Sequence, residues 1–331
     1  MQRICIYFLK IVIYNIDMKS YTITNNDCGQ RVDRFIQKKF PKLPKSLMFK
    51  EIRKKNIKVN RKRTDPSYLL QNGDILELYL KDDVLEEKKV HYDFLNSPKD
   101  IDIIYEDENI ILLNKKIGML CHPDGSEYIN TLISAVKRYL FEKKEWNPQT
   151  ENNFAPALAN RIDRNTGGIV IACKNAESLR ILNEKIKNRE IEKYYLCAVS
   201  GIMEKETDIL EGYLTKDTKK HKVAVSKNPT DNAKRIVTKY TVLDSYDNKS
   251  LLEIDLITGR THQIRAHLAS IGHPLINDGK YGENHGRYRQ ALYSYRLKFC
   301  FKDENSLSYL NGREFTVKNC EVLKNFKEKK Y

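Results

Sequence analysis

The stretch Lys81 to Asp100, KDDVLEEKKVHYDFLNSPKD, shows neither helical nor strand periodicity, is dense in charge and ends in Ser-Pro. Such a segment offers no continuous apolar face, so it predicts a linker over 81–100 and two separately packed parts, 18–80 and 101–331. The length of 331 residues fits this division, since chains carry about one domain per 150 residues. Lys and Arg total 59 against 44 Asp and Glu, a formal charge of +15, while 40% of residues are hydrophobic. The charge therefore sits on folded bodies and suits polyanions rather than a disordered basic tail. Seven cysteines, none closer than 20 residues to the next, give neither a disulfide framework nor a zinc spacing, and fit a reducing, cytoplasmic compartment. The apolar segment 1–17 is interrupted by Lys10, lacks a small-residue cleavage site and is too short to span a bilayer. It reads as an upstream extension before Met18, or as a strand or helix packed on the body, and no membrane partner is expected.

In the smaller part, Val32, Phe35 and Ile36 fall at i, i+3 and i+4 and the run stops at Phe40-Pro41, predicting a short amphipathic helix. A second helix is expected from Ser46 as N-cap, carrying Leu47, Met48 and Ile52. Ile57 and Val59 alternate as a small strand, Gln71-Asn72-Gly73-Asp74 predicts a turn, and Leu76, Leu78 and Leu80 a closing strand. Of the eleven residues Arg53 to Arg63, seven are basic and none acidic. A ridge of this kind suits the phosphates of structured RNA, although a solvated charge run has the same composition. Arg34, Arg53, Lys54, Lys55 and Lys58 are the candidate RNA contacts. The stretch QRVDRFIQKKFPKLPKSLMFKEIRKKNIKVN, with QNGDILEL after it, resembles the S4 RNA-binding domain, with Val32 and Arg61 where that pattern has Leu and Gly.

In the larger part, Ile101–Tyr105 and Ile110–Asn114 flank an acidic turn and predict a hairpin. A helix is expected over Thr131–Phe141 with Leu132, Val136 and Leu140 on one stripe, then a surface excursion in KKEWNPQTENN. A strand over Ile169–Ile171 and a helix from Ala176, with Leu179, Leu182 and Ile186 inward, follow. Between them lies ALANRIDRNTGGIVIACKN, with Asp163 between Arg161 and Arg164 and ahead of two glycines. Neighbouring cations keep a carboxylate ionised, and glycines let a loop approach a ligand, which suits a nucleophilic carboxylate. Asp-X-X-Thr-Gly is equally a common turn and capping pattern.

Asn160 to Gly168 resembles the His-Arg-Leu-Asp-X-X-Thr-Ser-Gly signature of RluA-type pseudouridine synthases, departing from it at Asn160, Ile162 and Gly167. IIYEDENIILLNKKIGMLCHP resembles that family's opening hairpin, and LLEIDLITGRTHQIRAHLASIGHPLINDGKYG its later signature, so the likeness covers residues 101–302. It implies an α+β protein in which a small S4-type RNA-binding domain precedes a catalytic domain with a mixed, mainly antiparallel sheet. It implies Asp163 as the catalytic residue, Tyr195 as the tyrosine stacked on the target uracil, and Arg265 as the partner of Asp163. Tyr194 is the competing neighbour, because only one of two successive strand residues faces a given side. Arg161, Arg164, Thr166, Gly168, Arg260, His262 and Gln263 become candidate substrate-binding residues, and Ile264, Leu268 and Ile271 a buried stripe beside Arg265.

The implied reaction moves the uracil from an N1 to a C5 linkage on C1′ without net oxidation, so no cofactor is expected. His262 and His267 diverge on a helix and give no metal pair, and His122 and His273, each before proline, read as turn residues. The implied partner is structured RNA. The attached S4-like unit favours large-subunit ribosomal RNA, as in the RluC-like branch, over transfer RNA, and no obligate protein partner is implied. A non-catalytic RNA-binding or ribosome-assembly factor would explain the basic surface but not Asp163, Tyr195 and Arg265 together.

Overall fold

A computed structural model describes residues 18–81, 84–217, 222–282 and 289–331. The segment 1–17, expected as an extension or a packed element, lies outside the described residues. The chain divides into two compact units, one running to Val90 and including Pro148–Phe154, the other comprising His91–Asn147 and Ala155–Tyr331.

The first unit contains β1 (Met18–Thr22), α1 (Val32–Lys39), α2 (Lys45–Arg53), β2 (Ile57–Val59), β3 (Lys62–Arg63) and β4 (Ile75–Tyr79). Its sheet runs β1-β4-β2-β3. Val32, Phe35 and Ile36 of α1 meet Met48 and Ile52 of α2 and Leu76 and Leu78 of β4 in one core, as the periodicities predict. Ser46 does not cap α2. The helix starts at Lys45 behind an extended Pro44, and no side chain caps it, because the proline side chain at the N-cap carries no acceptor oxygen. The β2–β3 connection is a two-residue turn at Asn60-Arg61 with φ of 52° and 63°, the backbone that a tight hairpin demands. Arg61 tolerates it with its backbone N–H donating to Glu77 Oε2 at 2.8 Å.

Residues 81–100 are not a free linker. Leu85 is buried in the core of the first unit, and Glu86 and Glu87 pair with Lys42 and Lys39. Phe94 packs in the second unit against Phe141 and Trp146. Single apolar anchors leave no period to read, so the first unit extends beyond residue 80 and the second begins at His91 rather than 101. KKEWNPQTENN is not a surface excursion either. Trp146 is buried, while Asn152 donates to Thr22 O and Asp27 Oδ2, and Asn153 to Phe35 O, tying Pro148–Phe154 into the first unit.

The second unit contains β5 (Ile103–Glu106), β6 (Ile110–Lys115), α3 (Leu132–Glu142), β7 (Ala157–Leu158), β8 (Gly167–Cys173), α4 (Ala176–Lys187) and β9 (Ile191–Ser200). There follow β10 (Thr207–Asp217), β11 (Lys222–Ser226), β12 (Lys234–Tyr246), β13 (Lys249–Asp255), α5 (Gln263–Ser270), β14 (Leu292–Phe299), β15 (Glu314–Thr316) and α6 (Glu321–Lys327). The strands form one sheet, β11-β10-β12-β13-β9-β14-β8-β6-β5, with β15 beside β14 and β7 beside β8. The β14–β8 pairing is parallel and the other ladders of this sheet are antiparallel. Ile110, Leu112, Ile169 and Ile171 pack with Leu182 of α4, and Leu196, Ala198 and Leu251 with Val322 and Phe326 of α6. Gly168 has φ +112°, and a Cβ there would lie 2.0 Å from Ser294 O. Only glycine lets β8 run this close to β14, and that approach fixes where the preceding loop, 160–166, emerges.

Candidate active site

The loop before β8 turns tightly, Thr166 N–H donating to Asp163 O at 3.1 Å. It is tied to the end of β6 by Lys115, which is buried and donates through Nζ to the carbonyls of Lys116 (3.0 Å), Met119 (2.7 Å) and Arg164 (3.0 Å). Burial lowers the Lys115 ammonium to about 8, against the opposing pull of Cys121 and Asp163.

Opposite this loop, His262 enters α5 with φ +55° and Arg265 lies one turn on. Arg265 Nη1 donates to Asp163 Oδ2 at 2.9 Å, while Nε and Nη2 grip both oxygens of Asp278 at 2.7 and 2.8 Å. Asp278 is fully buried and also accepts the backbone N–H groups of Lys280 and Tyr281. Burial alone would raise its carboxyl, and the Arg265 guanidinium more than reverses this, leaving it below the usual carboxylate value. A fork held on two edges cannot swing, so Nη1 stays aimed at Asp163.

His262 Nε2 stands 3.7 Å from Asp163 Oδ2, and Nδ1 lies 3.0 Å from the Tyr281 hydroxyl. That hydroxyl oxygen also accepts Val223 N–H at 3.0 Å, which ties the imidazole to β11. Burial holds His262 below the usual histidine value, despite the attraction of Asp163. Arg265 Nη1 and His262 Nε2 thus both lie on the Oδ2 side, and among the described residues Oδ1 has no donor.

Tyr195 lines the same cleft, about 320 Å³, with Asp163, Lys193, Arg260 and Arg265. Its phenol is pushed by burial up to about 12, so it is a neutral donor. Tyr194 turns to the other side of the sheet, where the Arg296 guanidinium lies 3.8 Å from its ring centroid and Glu192 accepts its hydroxyl at 2.9 Å. An adjoining hollow of about 560 Å³ shares Asp163 and adds His122, Arg164 and Lys280, so His122 borders the cleft rather than serving only a turn.

Several expected substrate contacts are occupied elsewhere. Gln263 is saturated: its amide donates to Val237 O and Thr238 Oγ1, and its oxygen accepts from Thr258 Oγ1 and Arg260 N. It shapes the loop and has nothing left for a ligand. Gly168 is enclosed by Ser294 backbone and serves packing, while Thr166, buried and accepting from Gln290, also lines the cleft. Arg161 and Arg164 are exposed, and Arg164 donates to Gly118 O. The cation on Asp163 is Arg265, not its flanking arginines. Arg161, Arg260 and His262 do border the cleft. Ile271 is 41% exposed, while Gln263 to Leu268 are all buried, so α5 is enclosed nearly all round rather than along one stripe. Asp278, Tyr281 and Lys115 escape sequence reasoning, because their significance lies in partners that the local sequence does not reveal.

In the first unit, Arg34, Arg53, Lys54 and Lys55 are exposed, with Lys54 3.5 Å from Glu51. Lys58 is half-buried, its Nζ 4.8 Å from the Tyr79 ring centroid. Among the described residues no cluster of His, Cys, Asp and Glu could hold a metal, and no helix is long and apolar enough to cross a membrane.

Residues 109–270 match the family model described as RNA pseudouridylate synthase. A relative from Mycoplasma capricolum subsp. capricolum, described as an uncharacterized RNA pseudouridine synthase, is 33% identical over 301 residues, covering 89% of this chain and 96% of its own. This chain belongs to the RNA pseudouridine synthase family. The enzyme is also 31% identical to ribosomal large subunit pseudouridine synthase C of Haemophilus ducreyi, over 81% of this chain and 80% of that one. Human RNA pseudouridylate synthase domain containing 4 shares the fold, with a TM-score of 0.53 at 17% identity over 68% of this chain and 93% of that one.

Proposed function

We propose that the enzyme converts uridines of large-subunit ribosomal RNA to pseudouridine, with Asp163 as nucleophile on a flipped-out nucleotide. The observation that carries this reading is the Asp163 carboxylate, held through Oδ2 by a doubly anchored Arg265 and lining a cleft together with Tyr195. Oδ1 attacks C1′ and forms an ester, and the electron pair of the N1–C1′ bond leaves with the uracil. The base turns over the Tyr195 ring, C5 bonds to C1′, the ester's electron pair returns to Asp163, and the C5 proton is exchanged for one on N1. Atoms balance without a cofactor. The base must leave its stack first, which takes a pocket and an aromatic platform. On this reading Arg161 and Arg260, which line the cleft, meet the flanking phosphates.

Relatives named as ribosomal large subunit pseudouridine synthases C and D support ribosomal RNA as the target. The first unit is read as an S4-type RNA-binding module whose exposed Arg34, Arg53, Lys54 and Lys55 meet phosphates, with the reaction taking place in the cytoplasm. Mapping pseudouridine in ribosomal and transfer RNA of cells lacking the gene should show loss in the large-subunit RNA, and loss confined to transfer RNA would refute the target. Asp163→Asn should abolish tritium release from C5-labelled RNA with affinity unchanged or slightly tighter, and full turnover would remove Asp163 from the mechanism.

A further inference from the structure

Asp163, Asp278 and Arg265 form a cluster with one more negative than positive charge. On the nucleophile reading above, the charge of Asp163 disappears into the ester as the N1–C1′ bond breaks, and reappears on N1, O2 and O4 of the detached uracil. Arg265 cannot follow it, since its three nitrogens are committed to the two carboxylates. The base side of the cleft therefore needs a second cation.

Lys193 precedes Tyr195 by two residues on β9, so both side chains point to the same face of the sheet. It lines the cleft with Tyr195 and Asp163, and its Nζ borders the loop before α5, 3.7 Å from where a Gly259 Cβ would stand. Among the described residues no carboxylate offsets its charge. Burial alone acts on the ammonium, holding it below the usual lysine value. A cation already stripped of part of its water and left unpaired is ready for an anion that exists only during the reaction.

We propose that Lys193 is a further catalytic residue of the isomerisation, its ammonium meeting a carbonyl oxygen of the uracil and stabilising the charge that the base carries once N1 has left C1′. This rests on Asp163 acting as nucleophile. The competing occupant of Lys193 is a backbone phosphate, which predicts a binding effect instead of a rate effect.

The test uses full-length Lys193→Met, with Lys193→Gln as a second variant should the first fail to fold, in single turnover at saturating RNA. The target carries either uridine or 5-fluorouridine, whose fluorine withdraws electrons and makes the base a better leaving group without help. Cleavage is followed as loss of the target nucleoside. With uridine the rate should fall by about 10²-fold, the scale for removing one preorganised donor, while RNA affinity stays within about twofold. The defect should be much smaller with 5-fluorouridine, and Lys193→Arg should recover part of the rate. An unchanged rate, or equal defects on both substrates, overturns the proposal. So does weaker binding with a shallower salt slope and a normal saturated rate, which would place a phosphate at Lys193. Asp163→Asn in parallel separates the two ideas: activity in that variant refutes the nucleophile reading itself, whereas an inactive Asp163→Asn beside a normal Lys193→Met refutes only the role of Lys193.

Discussion

Asp278→Asn replaces the buried carboxylate that grips Arg265 with an amide of nearly the same shape. Oδ1 of Asp278 accepts from Arg265 Nη2, Lys280 N and Tyr281 N, and Oδ2 from Arg265 Nε. An asparagine can keep its oxygen at the first position, but its NH2 then faces the Nε–H, donor against donor. Breaking a buried ion pair costs about 3–5 kcal/mol, and the lower end applies because Arg265 keeps Asp163. At about 2–4 °C per kcal/mol for a unit of this size, melting should drop by about 6–12 °C at pH 7. The Asp278 carboxyl is held low in the fold, so its contribution is complete above the unfolded value of about 4 and is lost as pH falls through the folded one. Calorimetry of both proteins from pH 7 into acid should therefore show a gap that closes below about pH 4. The freed guanidinium should also slow turnover at saturating RNA. Equal melting temperatures at pH 7, or a gap of constant size into acid, would refute the argument.

Gly168→Ala, whose Cβ would lie 2.0 Å from Ser294 O at φ +112°, should cost about 4 kcal/mol or more and appear as insoluble or low-melting protein; a normal melt would mean β8 and β14 can separate. Tyr195→Ala should lose base stacking worth about 1–3 kcal/mol in a turnover and binding assay, while Tyr194→Ala leaves turnover near wild type. The reverse pattern would place the wrong tyrosine in the cleft. Replacing Arg53, Lys54 and Lys55 together by Ala should reduce the slope of log affinity against log salt by about 0.7–0.9 for each phosphate no longer neutralised, with saturated turnover retained. An unchanged slope would make the ridge a solvated face.

Sequence periodicity shows most directly an element whose one side is dry and other wet, as with Val32, Phe35 and Ile36 on α1. The Asp163–Arg265 pair is legible because both residues sit in signature stretches. Its anchor is not. Asp278 lies in the same later stretch, but nothing local reveals that its oxygens face a guanidinium thirteen residues back. Gln263 and Gly168 mislead for the same reason, since a polar amide and a glycine look like ligand contacts until Val237 of β12, Thr258 after β13 and Ser294 of β14 meet them. The ends of β12 face solvent on consecutive residues, so its alternation is too weak to mark a strand.

The three carbonyl oxygens that converge on Lys115 make the kind of cage in which a potassium ion could sit, and the chain fills it with an ammonium of its own. The loop bearing Asp163 is thus fastened by a tethered cation rather than one borrowed from the medium. Changing the ionic composition of the buffer should leave that fastening intact, so the salt response of the enzyme reports on how it holds RNA and not on whether its reactive loop is assembled.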